Sequence, residues 1–290
     1  MRVAGSLLFW GFVLLSSLVL FPIAVLLWVL TAAFDGRRRV LHAFTSFWAS
    51  LYTWLNPAWP VRVVGRERLH TAGPAVLVAN HLSLLDILVL FRLHTHFKWV
   101  SKIENFRVPL IGWNMTLCDY IPLRRGDVRS THAMMRHCDR AIAGGSSILM
   151  FPEGTRSASG RLRSFKPGAF QIAERNRVPV QPIVVRGTAE ALPKRGFLLQ
   201  GRHPISIEVL DPIPAEVMIA SEPAEEVMER VRAADPRRPR GPRRNGLTGS
   251  ESSDPPDPLA SPAPSIARSR STRSPRCSLP DAVRGRASTT

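Results

Sequence analysis

Cysteine is scarce in this sequence: Cys118, Cys138 and Cys277 are the only three among 290 residues. They are widely spaced and no pair has zinc-ligand spacing, so neither a disulfide framework nor a cysteine metal site is expected. That usage fits a reducing compartment for the main domain. Acidic residues are also short, 22 against 39 lysines and arginines, which leaves a net charge of +17. Such an excess points to an anionic partner, either nucleic acid or an anionic membrane surface. A Gly-x-Ser-x-Gly nucleophile elbow is missing, so a serine acyl-enzyme of that type is not expected. No internal repeat is present.

Charge is absent altogether from Ser6 to Phe34, a run rich in Leu, Val, Phe and Trp. Roughly 20 such residues cross a bilayer core. The run exceeds that length and Pro22 interrupts it, so a tilted single helix and a bent re-entrant hairpin both fit. The alternative is a cleaved signal peptide ending near Thr31-Ala32-Ala33, but the run is much longer than the usual h-region of about 7 to 15 residues. Arg37, Arg38 and Arg39 follow, and the positive-inside rule keeps the next domain on the cytoplasmic side of the membrane. Residues 1–39 are therefore read as a membrane anchor. Residues 40–60 carry Phe44, Phe47, Trp48, Tyr52, Trp54 and Trp59. They are read as an interfacial aromatic helix, with a helix packed on the core as the alternative.

From 61 to 234 short apolar runs alternate with amphipathic stretches. Strands are expected at Val61–Val64, Ala75–Ala79, Phe97–Ser101, Tyr120–Leu123, Ser147–Phe151, Val180–Val185 and Ile205–Val209. Helices are expected at Ser83–Leu93, Val128–Ala143 and Gly168–Arg175. The fold class is α/β, a mixed sheet flanked by helices. Residues 235–290 hold only five residues from Leu, Ile, Val and Phe and are rich in Arg, Pro and Ser. Such a segment cannot bury enough surface to offset its ordering entropy, so a disordered tail is expected.

Three blocks carry chemistry. Asn80-His81-Leu82-Ser83-Leu84-Leu85-Asp86 follows an apolar strand and opens a helix. A neutral histidine can take a proton from an attacking alcohol, and a carboxylate behind it fixes the tautomer. Five residues on one helix turn about 500°, which leaves the two side chains roughly 140° apart. His81 must then precede the helix, with Asp86 in its first turns. The spacing alone is weak, because Ser83 to Asp86 also fits a loose capping box. Phe151-Pro152-Glu153-Gly154-Thr155-Arg156-Ser157 brings a carboxylate, a hydroxyl and a guanidinium to a glycine turn, and arginine's planar fork suits phosphate. A solvated basic loop, with Arg161, Arg163 and Lys166, is the alternative. Arg124, in Tyr120-Ile121-Pro122-Leu123-Arg124-Arg125, is a candidate second phosphate ligand, or an exposed turn. Val178 to Val185, with two prolines, reads on its residues as a buried strand with a stiff entry.

In this order and spacing, and with Phe165-Lys166-Pro167-Gly168-Ala169-Phe170, the blocks resemble the glycerolipid acyltransferase family. The similarity is greatest to its bacterial 1-acyl-glycerol-3-phosphate acyltransferases and runs from about Val61 to Leu210. The resemblance implies His81 as general base, Asp86 as its orienting partner, and Arg124, Glu153, Gly154, Thr155 and Arg156 at the glycerol phosphate. It implies an acyl surface at Val178 to Val185. Its substrates are acyl-CoA or acyl-carrier protein and lysophosphatidic acid, with no cofactor and no metal. The basic charge is then assigned to an anionic membrane surface, with no nucleic acid partner. One departure is Asp119, where close relatives carry glycine: a carboxylate pointing inward there would weaken phosphate binding.

Overall fold

The computed structural model describes residues 2–157, 162–194, 196–216 and 230. The expected tail and Arg161 lie outside them. Seven strands form one sheet: β1 (Val61–Val64), β2 (Val76–Ala79), β3 (Phe97–Lys102), β4 (Ile121–Leu123), β5 (Ser147–Met150), β6 (Val180–Arg186) and β7 (Ile205–Val209). Their order is β1-β7-β6-β2-β5-β3-β4. The five from β6 to β4 run parallel, β7 opposes β6, and β1 follows β7. The sheet is therefore mixed, as expected. The carboxyl ends of the five parallel strands share an edge with the amino ends of β1 and β7. In open α/β sheets that edge is where ligands bind.

All four residues of β2 and six of the seven in β6 are buried, as parallel strands covered on both faces require. β6, with Pro182 inside it and Pro179 just before it, therefore presents no free face to an acyl chain, as the buried-strand reading has it. Among the described residues seven α-helices accompany the sheet: α1 (Arg2–Thr31), α2 (Arg39–Trp54), α3 (Leu85–Leu90), α4 (Ile111–Leu117), α5 (Val128–Ala143), α6 (Gly168–Asn176) and α7 (Thr188–Ala191). Buried residues of α2 and α3 pack with Leu77, Trp99 and Leu149 on one face. Residues of α5 and α6 pack with Val76, Ile148 and Val180 on the other. α5 begins where Asp127 accepts the Ser130 backbone N–H at 3.1 Å, an N-cap worth about 1 kcal/mol.

α1 is one continuous helix despite Pro22. It is long and apolar enough to cross a membrane, with mean hydropathy 2.7. Yet one stripe of it, Ser6, Phe9, Ser17, Ala24 and Thr31, is buried against the rest of the chain. Trp10 Nε1 donates to the Phe197 carbonyl at 2.7 Å, and the Leu199 N–H donates to Ser6 Oγ at 2.9 Å. In α2, Trp48 and Tyr52 are buried while Phe47 and Trp54 are exposed. The helix thus packs on the core along one side and offers aromatics to solvent on the other.

Periodicity does not predict α4, because Pro109 and Gly112 read as breakers. Its first turn instead depends on glycine. A Cβ on Gly112 would stand 2.5 Å from backbone atoms of Asn105 and Phe106, in the 3₁₀ helix Ile103–Arg107.

Candidate active site

β2 ends at Ala79, and Asn80 carries the chain off the sheet. The Asn80 side chain donates to the Val185 carbonyl at 2.9 Å and accepts the Val185 N–H at 2.7 Å. This paired bond fixes the loop on the neighbouring strand. His81 follows, before α3 begins at Leu85, as the helix geometry requires. Its Nδ1 lies 2.9 Å from Asp86 Oδ2. The same oxygen accepts the backbone N–H groups of Leu82 at 2.6 Å and Ser83 at 2.8 Å. Oδ1 accepts the Thr188 hydroxyl at 2.5 Å. Asp86 is 0% exposed, and four donors converge on it. The carboxylate only accepts, so Nδ1 carries the ring proton and Nε2 keeps its lone pair. Among the described residues, Nε2 takes no hydrogen bond.

Asp86 makes contacts of both kinds. It closes a capping box on the Ser83 N–H while Ser83 Oγ accepts the Leu85 N–H at 3.2 Å. It also holds the imidazole. The ring is further fixed by Phe151, stacked at a centroid distance of 3.9 Å and 8° between planes.

Glu153 is buried and turns inward. Oε1 accepts the His81 backbone N–H at 2.7 Å, and Oε2 accepts that of Arg163 at 3.1 Å. Burial pushes its carboxyl up to about 7, against the pull of those two N–H groups, and the charge of Asp86 pushes the same way. The side chain therefore braces the loop that carries His81. Gly154 takes φ +70°, and a Cβ there would stand 3.0 Å from Lys166 Cε, so the turn needs glycine. Thr155 and Arg156 are half-buried beyond it, and the Arg156 carbonyl accepts Lys194 Nζ at 2.7 Å.

Arg124 is exposed at the end of β4, its N–H on Ser130 Oγ at 2.8 Å. Its neighbour Arg125 is the cation that feels Arg156. Burial lowers the Arg125 pKa below the usual arginine value, with Glu104 opposing and Arg156 reinforcing the shift. Arg125 is itself exposed, as the exposed-turn reading has it. Sequence reasoning missed Thr188, for which nothing in the local sequence gave a signal.

Asp119 sits at φ +55°, a left-handed conformation that glycine adopts without strain. It precedes β4, at the sheet end away from His81, where it pairs with His137 at 3.2 Å and faces Lys98 at 3.8 Å. It does not point into the site. The buried thiols are unsuited to nucleophilic work: burial raises Cys118 to about 11 and Cys138 to about 12.

Residues 60–186 match the protein-family model described as Acyltransferase. A Chlamydomonas reinhardtii 1-acyl-sn-glycerol-3-phosphate acyltransferase is 40% identical over 190 residues, covering 65% of this chain and 57% of that protein. A chloroplastic 1-acyl-sn-glycerol-3-phosphate acyltransferase of Arabidopsis thaliana is 41% identical over 172 residues, 58% of this chain and 48% of that protein. The chain thus spans about half the length of these curated relatives, which are algal and plant proteins rather than bacterial ones. The crystal structure of the 1-acyl-sn-glycerophosphate acyltransferase PlsC from Thermotoga maritima superposes with TM-score 0.64 at 23% identity, over 80% of this chain and 95% of that one. That likeness establishes the fold.

Proposed function

We propose that this acyltransferase-family domain transfers an acyl group from a thioester, acyl-CoA or acyl-carrier protein, to the sn-2 hydroxyl of 1-acyl-glycerol-3-phosphate. The observation that carries the reading is the His81–Asp86 pair, buried, braced by three further donors to Asp86 and leaving Nε2 unoccupied. The acceptor hydroxyl gives its proton to Nε2 as its oxygen attacks the thioester carbonyl. A tetrahedral oxyanion forms and collapses, the C–S bond breaks, and the imidazolium returns the proton to the departing thiolate. Asp86 stabilises the imidazolium in between. A base so placed contributes about 10² to 10⁴ in rate, with positioning of the two substrates supplying much of the rest. The raised thiols of Cys118 and Cys138 agree with direct transfer.

Arg124 and Arg156 are assigned to the acceptor phosphate, with Arg125 beside Arg156 as a third cation. Thr155 and Gly154 shape the turn that presents Arg156. Glu153 acts through His81 and is a positioning residue. The division of the chain is proposed as an apolar anchor over 1–39, an aromatic helix over 40–60, the transferase domain over 61–234 and an Arg/Pro/Ser-rich tail.

α1 is held along its length by the rest of the domain, at Ser6, Trp10 and Ser17 as well as near Trp28, where the Arg38 guanidinium lies 5.7 Å from the indole. A helix so held does not stand free to cross a bilayer alone. It is proposed to lie in one leaflet, exposed apolar side inward, which brings the site to lipid-borne substrate. Arg37–Arg39 then mark the headgroup face, proposed as the cytoplasmic face of a bacterial cell membrane. The test is a panel of lysolipid acceptors against acyl-CoA and acyl-carrier protein donors with purified full-length protein. Thioester consumption that requires lysophosphatidate supports the reading. Consumption without a lysolipid makes the protein a hydrolase and overturns it.

A further inference from the structure

The segment between β3 and α4 contains a strained turn that the chemistry above does not use. Leu110 stands at φ 63° and ψ −58°. The Ile111 N–H reaches the Pro109 carbonyl across it at 2.7 Å. This is a γ-turn of the rare, strained hand, here at a bulky side chain. The surroundings lock it. The Gly112 N–H donates to the Val108 carbonyl at 2.8 Å, the Asn114 N–H donates to the Leu110 carbonyl at 2.9 Å, and Gly112 packs directly on the backbone of Asn105 and Phe106.

What the turn holds out is apolar. Val108, Ile111 and Trp113 are 44%, 44% and 49% exposed, and Pro109 is exposed between them. Three large apolar side chains displayed by a rigid turn are costly in water and mark an interaction surface. Two observations identify the partner. Trp113 packs against Phe21 of α1, ring centroids 5.7 Å apart, so the patch continues the exposed apolar side of α1, which includes Leu15, Leu18, Val19, Leu26 and Val29. Arg107 borders it, and the chain carries +17. An apolar wedge edged by cation, with an indole at its side, matches the boundary between acyl chains and anionic headgroups.

We infer that the turn Val108–Ile111, with Trp113, is a second membrane-inserting element that enters an anionic lipid leaflet beside α1. It rests on the reading of α1 as a leaflet-bound helix. The turn follows β3, so it leaves the sheet at the same end as His81. Insertion there tilts that end toward the lipid in which a lysolipid acceptor resides.

The test uses full-length protein with Cys277→Ser, so that an environment-sensitive fluorophore is carried only by an introduced cysteine. The sites are Ile111→Cys, Val108→Cys as a second turn position, Leu15→Cys on α1, and Glu174→Cys on the exposed side of α6 as control. Each is mixed with vesicles of phosphatidylcholine and phosphatidylglycerol, with and without brominated acyl chains. Labels at 108, 111 and 15 are expected to shift to the blue and lose intensity to bromine, and the label at 174 to do neither. If 15 responds while 108 and 111 stay water-like, the wedge is refuted and the α1 reading stands. If none responds, both fall. Vesicles without phosphatidylglycerol should weaken the response at 111; an equal response would refute the anionic preference.

Discussion

Asp86→Asn isolates what the carboxylate does for His81. In a Ser-His-Asp triad the corresponding amide imposes the wrong tautomer on the ring and costs about 10⁴ in rate. Here a turn of the amide nitrogen toward the ring is blocked. The oxygen facing Nδ1 also accepts the Leu82 and Ser83 backbone N–H groups, at 2.6 and 2.8 Å. An amide nitrogen in that place would set donors against donors and lose both bonds. The amide oxygen therefore takes the Oδ2 position and the nitrogen faces the Thr188 hydroxyl, which rotates to accept. The tautomer survives, and only the charge opposite the imidazolium is lost. A charge-assisted hydrogen bond contributes about 1.5–3 kcal/mol and a neutral one about 0.5–1.5. The difference of about 1–2 kcal/mol corresponds to a roughly 5- to 30-fold fall in kcat. The assay is thiol release from acyl-CoA with saturating lysophosphatidate, with thermal melting as the check on folding. A loss near 10⁴ in a folded variant would show that the amide does flip, and would refute the argument from the two N–H donors. A loss of less than twofold would show that Asp86 serves only the capping box.

Four further outcomes are expected. His81→Ala should lower kcat by about 10² to 10⁴ with the melting temperature little changed, and near-normal turnover would exclude His81 as the base. Arg156→Ala or Arg124→Ala should raise KM for lysophosphatidate about ten- to hundred-fold, with lysine rescuing only in part, whereas Arg175→Ala, which breaks an exposed pair with Asp139, should do little; equal small losses at all three would mean a diffuse basic surface. Thr188→Val should reduce stability by about 1–3 kcal/mol through the unpaired Asp86 oxygen, measured by denaturant unfolding. The Glu153 carboxyl titrates near 4.5 when unfolded and about 7 when folded, so between those values the native state binds the extra proton; this contribution to stability falls as pH rises through the window, and Glu153→Gln should flatten that slope.

The parts of this molecule legible in its sequence are those set by local pattern. α5 runs over Val128–Ala143 as its periodicity predicts, and the structure adds Asp127 as its cap. β1 and β7 also have the expected bounds. The placement of His81 before its helix followed from the residue spacing alone. What was not legible depends on contacts across the chain. Thr188 lies 102 residues from Asp86 in sequence, on a helix of four residues too short to leave a periodic signal. The family resemblance put Glu153 at the glycerol phosphate, yet its carboxylate faces the backbone N–H groups of His81 and Arg163. Asp119 raised the opposite concern, and its position before rather than after β4 removes it. α4 was hidden because its glycine is needed for a close backbone contact, which no propensity records.

The two buried carboxylates of the site divide the work of holding one histidine. Asp86 gathers the ring N–H, two backbone N–H groups and a hydroxyl, and so remains a fixed acceptor behind the imidazole. Glu153 holds the backbone N–H of the same residue, with fewer donors and with Asp86 as a neighbouring charge, so burial dominates and its carboxyl titrates near neutrality. One carboxylate orients the base and the other ties its main chain to the glycine turn that presents Arg156. Because that turn follows β5 and His81 follows β2, adjacent strands in the sheet, the link between them is as short as the fold allows. A displacement of Arg156 on binding an anion would be transmitted to His81 through Glu153. With Arg156 proposed at the phosphate and His81 proposed as base, a change at Glu153 should therefore disturb both KM and kcat, although its carboxylate faces only backbone.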